Sequence, residues 1–204
     1  PTVGWGLGSA PVSGPLAFFR RWERLAFLKS LQAIIAYSWR GAEQYRNLGI
    51  PEERIFIATN AVTARPTKPP PKRPPVFRGR PVVLFVGRLQ ARKRIDHLLR
   101  ACASLPQSVQ PRLCIVGDGP QREELQILAN EIYPLAEFVG SRYGAELVTF
   151  FTSADLFVLP GTGGLALQNA MAYALPVIAG EGDGTQEDLV RPQNGWLIPP
   201  DDLP

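Results

Sequence analysis

A glycine-rich turn between a strand and a helix carries the clearest chemical signal in this sequence. An apolar run over residues 156–159 ends in proline, the turn Gly-Thr-Gly-Gly follows at 161–164, and a helical pattern begins at Leu165. Glycines let backbone N–H groups crowd around an anion, and the helix behind them adds the positive end of its dipole. Residues 161–165 are therefore predicted to bind a phosphate or a sugar hydroxyl. The alternative is that the glycines only cap the helix.

A group of cations follows the apolar run Val82–Val86. Gly87 ends that run, and Arg88 and Lys93 stand in the segment behind it. A guanidinium can bind phosphate through two parallel hydrogen bonds, whereas an ammonium acts as a point charge. The pair would suit two adjacent phosphoryl groups. A solvated basic turn is the alternative interpretation.

Other residues that could take part in catalysis, metal binding or redox chemistry give weaker signals. The turn Gly117-Asp118-Gly119-Pro120 lacks the full GxGxxG spacing, which argues against a dehydrogenase. His97 is the only histidine and cannot by itself carry an acid–base mechanism. Cys102 and Cys114 lack the CxxC spacing of metal or redox sites, so both are expected to be ordinary buried thiols.

The elements that must position these residues alternate between short apolar runs and amphipathic stretches. Such alternation predicts a parallel sheet with crossover helices, a Rossmann-like doubly wound α/β fold whose ligand lies beyond the carboxyl ends of the strands. Helices are predicted from about Ile95, Gln121, Ala145 and Leu165, the last running to Ala174. The predicted strands are Val82–Val86, Arg112–Val116, Glu137–Val139, Leu156–Leu159, Val177–Ile178 and Trp196–Ile198.

Length and composition fit one full domain and part of a second α/β domain. The chain has 204 residues, of which 45% are hydrophobic, and a formal net charge of +4. No apolar run approaches the roughly 18 residues of a membrane span, and no signal peptide is recognisable, so a cytoplasmic protein is expected. The first residue is not Met and no closing helix ends the pattern. We therefore expect a fragment of a longer protein.

Residues 64–80 are interpreted as a basic, proline-rich linker between a truncated first domain at 1–63 and a second domain at 81–204. No acid lies between Glu53 and Asp96, whereas Lys and Arg recur through this stretch. Repeated prolines favour an extended, semi-rigid chain, and aromatic residues typical of a nucleic-acid arm are not interleaved with the cations. We expect a solvated linker and no nucleic-acid partner. Attraction of an anion is the alternative.

From the linker onward the chain resembles the donor domain of the GT-B glycosyltransferases of retaining family 4. The matching segments, in order, are VVLFVGRLQARKRIDHLL, RLCIVGDGP, EFVGSRYGAELVTFFTSADLFVLP, GLALQNAMAYALPVIA, DGTQEDLV and NGWLIPPDD. Residues 34–62 resemble the close of the family's amino-terminal, acceptor-binding domain. The resemblance implies a metal-independent, hexosyltransferase-like enzyme that uses a UDP-, GDP- or ADP-sugar as co-substrate and needs no further cofactor.

The same resemblance implies which residues bind the donor. Arg88 and Lys93 would hold the diphosphate and neutralise the charge of the leaving group. The family has glutamates where Gly161 and Asn169 stand here, so recognition of the sugar and the ribose is expected to be altered or impaired. The implied donor-binding residues are Arg88, Lys93, Arg142, Gly161, Thr162, Gly163, Gly164, Leu165 and Asn169. Arg142 or Tyr143 could stack on the base, although an exposed turn residue is the favoured interpretation of either. The catalytic residues are unknown.

The acceptor is open, with lipid-linked and polysaccharide acceptors as the candidates. Residues 16–31 mix aromatic side chains and cations as in a helix at a membrane interface, although a helix packed on protein is the favoured interpretation. Two alternatives to a transferase remain: a catalytically silent nucleotide-binding or regulatory domain, and a nucleotide-sugar epimerase that would use His97 and Asp183. With its first domain truncated, the chain alone is expected to bind donor without transferring sugar.

Overall fold

The chain folds around two parallel sheets. The computed structural model describes residues 1–8, 14–59, 66–67, 69–73 and 79–199. The first sheet has the order β1-β2-β3 and the second the order β6-β5-β4-β7-β8-β9, and every pairing is parallel. The predicted α/β fold with two parallel-sheet units is confirmed.

The bounds of the elements follow the chain. The first sheet and its helices are β1 (Val3–Gly6), α1 (Ala17–Ser30), β2 (Ala33–Ala36), α2 (Trp39–Asn47) and β3 (Ile55–Ile57). The second sheet and its helices are β4 (Val82–Val86), α3 (Ile95–Ser104), β5 (Arg112–Val116), α4 (Arg122–Ile132), β6 (Ala136–Gly140), α5 (Gly144–Ser153), β7 (Leu156–Leu159), α6 (Leu165–Ala172), β8 (Val177–Gly180), α7 (Thr185–Leu189) and β9 (Gly195–Ile198).

Strand order in the second sheet places a switch point between β4 and β7. From β4 the chain builds outward through β5 and β6, then returns to the other side of β4 and builds through β7, β8 and β9. The strand β4 is buried across its centre because crossover helices cover a parallel sheet on both faces. Ligands of doubly wound folds bind outside the carboxyl ends of the strands at such a point. The predicted site follows these two strands.

Sequence and structure agree best where apolar runs are continuous. The predicted bounds of β4, β5 and β7 match the observed ones, whereas β6, β8 and β9 each extend by one or two residues. The helix predicted over residues 165–174 ends at Ala172, and helix α7 was not predicted. Cys102 is buried, Cys114 is half-buried and both are free thiols, with burial raising the pKa of each to about 11.

The expectation of a wholly solvated linker is wrong at Arg73. Its guanidinium donates to the carbonyl oxygens of Phe151 (2.9 Å), Ala154 (3.2 Å), Tyr173 (2.8 Å) and Ala174 (3.1 Å). These carbonyls lie at the carboxyl ends of helices α5 and α6. The last turn of a helix leaves carbonyl acceptors unpaired, and the helix dipole favours a cation there. Arg73 therefore anchors this part of the linker to the second sheet's unit. The predictions at residues 60–65, 68 and 74–78 lie outside the described residues.

Helix α1 is more exposed than the favoured interpretation suggested. Its only buried side chain is Leu28, while Phe18, Phe19 and Trp22 are exposed by 77%, 63% and 63%. A helix packed through a broad apolar stripe would bury more of these aromatic rings. None of the described helices combines the length and the apolar character that crossing a bilayer requires.

Ala174→Gly is expected to stabilise the protein by about 1 kcal/mol. Ala174 follows α6 with φ of +53°, a left-handed conformation that strains any residue with a Cβ. Chemical denaturation followed by circular dichroism measures the change. The matched control is Gly49→Ala, because Gly49 has φ of +78° and a Cβ there would meet nothing within 4 Å. Gly49→Ala should lower the free energy of unfolding. An unchanged free energy of unfolding in Ala174→Gly would contradict the strain argument.

Candidate functional site

The segments behind β4 and β7 come together at the switch point. Strand β4 leads into Gly87, Arg88 and a short 3-10 turn at Ala91–Lys93, and β7 leads into the glycine-rich turn at 161–164. The Thr162 N–H donates to the Arg92 carbonyl at 3.1 Å, which joins the two segments. Both segments were predicted to belong to one site, and the fold brings them into contact.

A cavity of about 580 Å³ opens at the carboxyl ends of β4, β5 and β6. Its floor is formed by Val86, Gly87, Val116 and Gly117, and its sides include Arg88, Ser141, Arg142 and Tyr143. Gly117 has φ of +142°, and a Cβ there would overlap the Gly87 carbonyl oxygen, so glycine is needed for the two strand ends to approach. This cavity has the size of a small-molecule site.

The cations of the cavity differ in how firmly they are held. Arg88 is exposed and makes no hydrogen bond or ion pair within the described part of the chain. Arg142 bonds the Ser141 carbonyl at 2.9 Å and lies 3.9 Å from the Glu146 carboxylate. Tyr143 is 77% exposed at the rim. Arg88 is thus free to reach a bound anion, whereas Arg142 has local partners.

Lys93 lies between the cavity and the glycine-rich turn. Its Nζ donates to the Thr162 carbonyl at 2.6 Å, and its Cε lies 3.9 Å from the position of a Cβ at Gly87. Burial and the charge of Arg92 lower the pKa of Lys93, and Asp183 opposes that shift. A Cβ on Gly163 would overlap Nζ, so this glycine allows the ammonium to approach the turn.

The turn presents backbone donors in front of helix α6. Among the described residues, no hydrogen bond is found for the N–H groups of Gly163, Gly164 and Leu165. The first N–H groups of a helix have no partner within it, and the helix dipole adds positive potential at the same place. Gly163 lies beside the Lys93 ammonium and Leu165 is exposed, whereas Gly164 is buried against Thr185. These free donors and the ammonium are suited to an anion.

Gly161 is buried and packed against backbone, so it is less accessible to a ligand than the sequence suggested. A Cβ at this position would lie 2.7 Å from both the Cα and the carbonyl carbon of Lys93. Its carbonyl oxygen accepts a hydrogen bond of 3.2 Å from the side-chain amide of Gln186. Both observations explain why a glycine stands here in this chain.

The remaining predicted residues lie on or near helix α6. Leu165 is 44% exposed at its first position, and Asn169 follows four residues later on the same side of the helix. The side chain of Asn169 is half-buried and makes no hydrogen bond to the described residues. It does not line the cavity of about 580 Å³. Its predicted contact with a ribose stays a prediction.

The residues named for an epimerase have structural partners. His97 Nε2 lies 3.1 Å from an Arg94 nitrogen and 3.7 Å from the Asp96 carboxylate. Asp183 precedes the N-cap residue Gly184 and accepts a hydrogen bond of 3.0 Å from the Thr185 N–H, the first N–H of helix α7. Neither residue lines the cavity beside Arg88, although His97 lines a second cavity of about 280 Å³ together with Gly161 and Thr162. In the described ranges, no cluster of three or more His, Cys, Asp or Glu side chains could hold a metal ion.

Helix α7 contributes to the site and was not predicted from the sequence. Gln186 is fully buried behind the glycine-rich turn, and Glu187 accepts from the N–H groups of Gly182 (3.2 Å) and Gly184 (3.0 Å). The only local signal was the order of Asp183, Gly184 and Glu187, which is typical of a helix start. A helix this short has no hydrophobic periodicity to detect.

Helix α7 also contacts the unit of the first sheet. The Trp39 N–H, at the start of α2, donates to the Asp188 carboxylate at 2.8 Å. Arg40 pairs with Glu187. A Cβ on Gly184 would lie 2.5 Å from the Ser38 hydroxyl and 2.9 Å from the Arg40 Cβ, so glycine allows the close approach. The predicted domain boundaries themselves remain a prediction.

Curated proteins similar to this chain are glycosyltransferases. A GDP-mannose-dependent alpha-mannosyltransferase of Mycobacterium tuberculosis (strain CDC 1551 / Oshkosh) is 40% identical over 124 residues, which cover 59% of this chain and 31% of that protein. The putative colanic acid biosynthesis glycosyltransferase WcaL of Escherichia coli (strain K12) is 29% identical over 177 residues, covering 80% of this chain and 42% of that protein. The chain thus spans less than half of either relative.

Solved structures share the fold. The apo form of the lipopolysaccharide outer core galactosyltransferase WaaB superposes with a TM-score of 0.72 at 26% identity, covering 84% of this chain and 50% of that one. Anabaena Alr3699/HepE, solved in complex with UDP, superposes with a TM-score of 0.74 at 19% identity, covering 98% of this chain and 59% of that one. Both confirm the predicted GT-B architecture.

The family model described as glycosyl transferases group 1 matches residues 70–203, a span that includes the cavity, Lys93, the glycine-rich turn and helix α7. That span is well over half of the chain. Together with the relatives and the fold, the match confirms the resemblance drawn from the motifs: the chain belongs to the group 1 glycosyltransferases.

Proposed function

We propose that this chain binds the diphosphate of a nucleotide sugar and that the protein transfers the sugar, with retention, to a glycan or lipid-linked acceptor. The observation that carries the proposal is the cluster at the switch point: Arg88, Lys93 and the free N–H groups of the glycine-rich turn. A diphosphate carries its charge on adjacent phosphoryl groups, so it needs several donors and cations in one place. The cluster supplies both.

The same groups would favour departure of the nucleoside diphosphate. Negative charge grows on the leaving group as the bond to the sugar breaks, and donors fixed in advance stabilise that charge without reorganising. Lys93 and the N–H groups of Gly163–Leu165 are held by the fold, whereas Arg88 is free to close on the ligand. The site itself requires no metal ion for this task.

The base and ribose are assigned to the cavity and to helix α6. A base would enter the cavity beside Arg142 and Tyr143, where a guanidinium or an aromatic ring can stack on it. The ribose would approach Asn169, which can donate and accept hydrogen bonds without charge. Several curated relatives are GDP-mannose-dependent, and HepE was solved with UDP, so GDP and UDP are the first nucleotides to test.

A silent nucleotide-binding domain and an epimerase are less well supported. The relatives at 40% and 41% identity are transferases by name. His97 and Asp183 are bonded to neighbours in their own segments. Because the chain alone is expected to bind donor without transferring sugar, the deciding assay uses the full-length protein with UDP-, GDP- and ADP-sugars. It follows released nucleotide and the product's anomeric configuration by NMR. Epimerised donor in place of transferred sugar would overturn the proposal.

Asn169→Ala is expected to weaken binding of a nucleoside diphosphate by roughly threefold to tenfold while sparing inorganic pyrophosphate. Only the nucleotide has a ribose, so the contrast isolates that contact. Titration calorimetry with UDP, GDP and ADP selects the nucleotide first, and the variant is then compared with wild type. Equal weakening of both ligands would show that Asn169 supports helix α6 and does not touch the ribose.

Peripheral membrane contact through residues 16–31 remains part of the proposal. The exposed rings of Phe18, Phe19 and Trp22 lie on the same helix as Arg20, Arg21 and Arg24, a combination suited to anionic lipid. Flotation of the protein with vesicles of anionic and of neutral lipid tests it. Equal recovery in the absence of vesicles would rule out the contact.

A further inference from the structure

Gln186 is a buried amide that holds the glycine-rich turn from behind. The side chain is fully buried, and its Nε2 donates to the Gly161 carbonyl at 3.2 Å across a separation of 25 residues. Its Oε1 is also buried and has no hydrogen-bond partner among the described residues. Burying an unpaired amide oxygen costs free energy that an apolar side chain would avoid. The bond that the amide nitrogen makes is the interaction in the structure that offsets this cost.

That bond fixes which way the turn presents its backbone. The carbonyl of Gly161 faces Gln186, and the Thr162 N–H faces the Arg92 carbonyl at 3.1 Å. These two bonds tie both sides of one peptide unit to neighbouring elements. The N–H groups of Gly163, Gly164 and Leu165, which follow directly, are the ones left free. A carbonyl turned toward them would place negative charge beside an anion site.

Helix α7 is anchored independently of Gln186. Glu187 accepts from the N–H groups of Gly182 and Gly184, and Asp183 accepts from the Thr185 N–H at the first position of the helix. Asp188 binds the Trp39 N–H at 2.8 Å. Loss of the Gln186 amide would thus remove the bond to the Gly161 carbonyl while these anchors keep the helix in place.

We propose that Gln186 is a positioning residue for the donor diphosphate, acting through the Gly161 carbonyl to hold the free N–H groups of the turn toward the anion. The inference rests on the proposed function, since it deepens the role of the same turn. Gln186 touches no ligand in this arrangement, because its side chain is buried.

The test compares Gln186→Met with wild type in the 204-residue chain. Met keeps the length of the side chain and removes the donor. We expect roughly fivefold to twentyfold weaker binding of UDP or GDP, and the same factor for inorganic pyrophosphate, because the anion contact is what changes. Unchanged affinity in the folded variant would overturn the proposal. So would a loss confined to the nucleotide.

The matched control is Gln110→Met. Gln110 also donates its amide to backbone carbonyls, those of Leu105 (3.0 Å) and Ala103 (3.4 Å), but in the loop before β5. It should change stability without changing affinity. If Gln186→Met does not fold, Gly182→Ala replaces it, since a Cβ there would lie 2.5 Å from Nε2 of Gln186 and displace the amide. Weaker binding in Gly182→Ala supports the proposal, and wild-type binding overturns it.

A second measurement needs no ligand. Hydrogen exchange of the Thr162 N–H reports whether the turn stays bonded to Arg92. Gln186→Met should accelerate this exchange by roughly tenfold while Gln110→Met leaves it unchanged. Unaltered protection of Thr162 would overturn the positioning role. If wild type bound neither nucleotide nor pyrophosphate, the proposed function would fail, and this exchange rate would still decide whether Gln186 holds the turn.

Discussion

Lys93→Ala is expected to weaken binding of a nucleoside diphosphate by roughly tenfold to a hundredfold, or about 1.5 to 3 kcal/mol. The ammonium lies 2.6 Å from the Thr162 carbonyl, next to the free N–H groups of the turn. Burial and Arg92 lower the pKa of Lys93, so the unliganded site holds a partly desolvated cation beside a second positive charge. The negative charge of a bound diphosphate would compensate for the lost hydration of Lys93 and offset the repulsion from Arg92.

The contact with Thr162 adds a condition to this prediction. Lys93 must exchange or share its bond to the carbonyl when a phosphate arrives, so part of the gain on binding is offset by the loss of that bond. Affinity for the diphosphate should also fall at alkaline pH, because Lys93 loses its proton there. The fall should begin at a lower pH than for an exposed lysine, because the pKa of Lys93 is lowered. Loss of the proton removes the charge that the diphosphate needs.

Titration calorimetry with the nucleotide selected from UDP, GDP and ADP measures the effect. Lys72→Ala is the matched control, because Lys72 is exposed and its removal changes the net charge equally. It should leave affinity nearly unchanged at physiological salt, where distant charges are screened. Wild-type affinity in both Lys93→Ala and Arg88→Ala, with the fold intact, would remove the diphosphate assignment.

The sequence predicted the strands of the second sheet because buried parallel strands are continuous apolar runs. The bounds of β4, β5 and β7 follow from such runs alone. Strands β6, β8 and β9 are longer than predicted because small residues with little or no apolar signal belong to them through pairing: Ala136, Gly140, Ala179, Gly180 and Gly195. Pairing depends on the neighbouring strand, which a local pattern does not contain.

In the candidate site too, features that depend on local sequence were predicted and contacts between distant residues were not. Arg88, Lys93 and the glycine-rich turn were predicted because each sits directly behind an apolar run, where a parallel sheet exposes its ligand edge. The bond from Lys93 to Thr162 was not predicted, since it joins residues 69 positions apart. Gln186 was missed for a similar reason: a single buried amide in a short helix resembles an exposed one in sequence.

Gly161→Glu is the second change with a large expected effect, because it returns the carboxylate that the family's pattern has at this position. We expect destabilisation by about 3 kcal/mol or more and loss of measurable nucleotide binding. A Cβ here would overlap the Arg92 carbonyl oxygen and lie 2.7 Å from Cα of Lys93. These are backbone atoms, which cannot move aside as the end of a flexible side chain can. The turn would have to leave the Arg92–Lys93 segment.

Two variants separate the causes of that loss. Gly161→Ala adds the Cβ without the charge and should retain most of the destabilisation, because the overlap is steric. Asn169→Glu returns the family's other carboxylate on a half-buried face of helix α6 and should fold normally. Thermal unfolding and calorimetry of the three proteins measure stability and affinity separately. A Gly161→Glu protein with wild-type stability and nucleotide affinity would show that the turn can rebuild itself around a side chain. In that case the packing of Gly161 on Arg92 would be a preference of this sequence and would not be a requirement of its donor site.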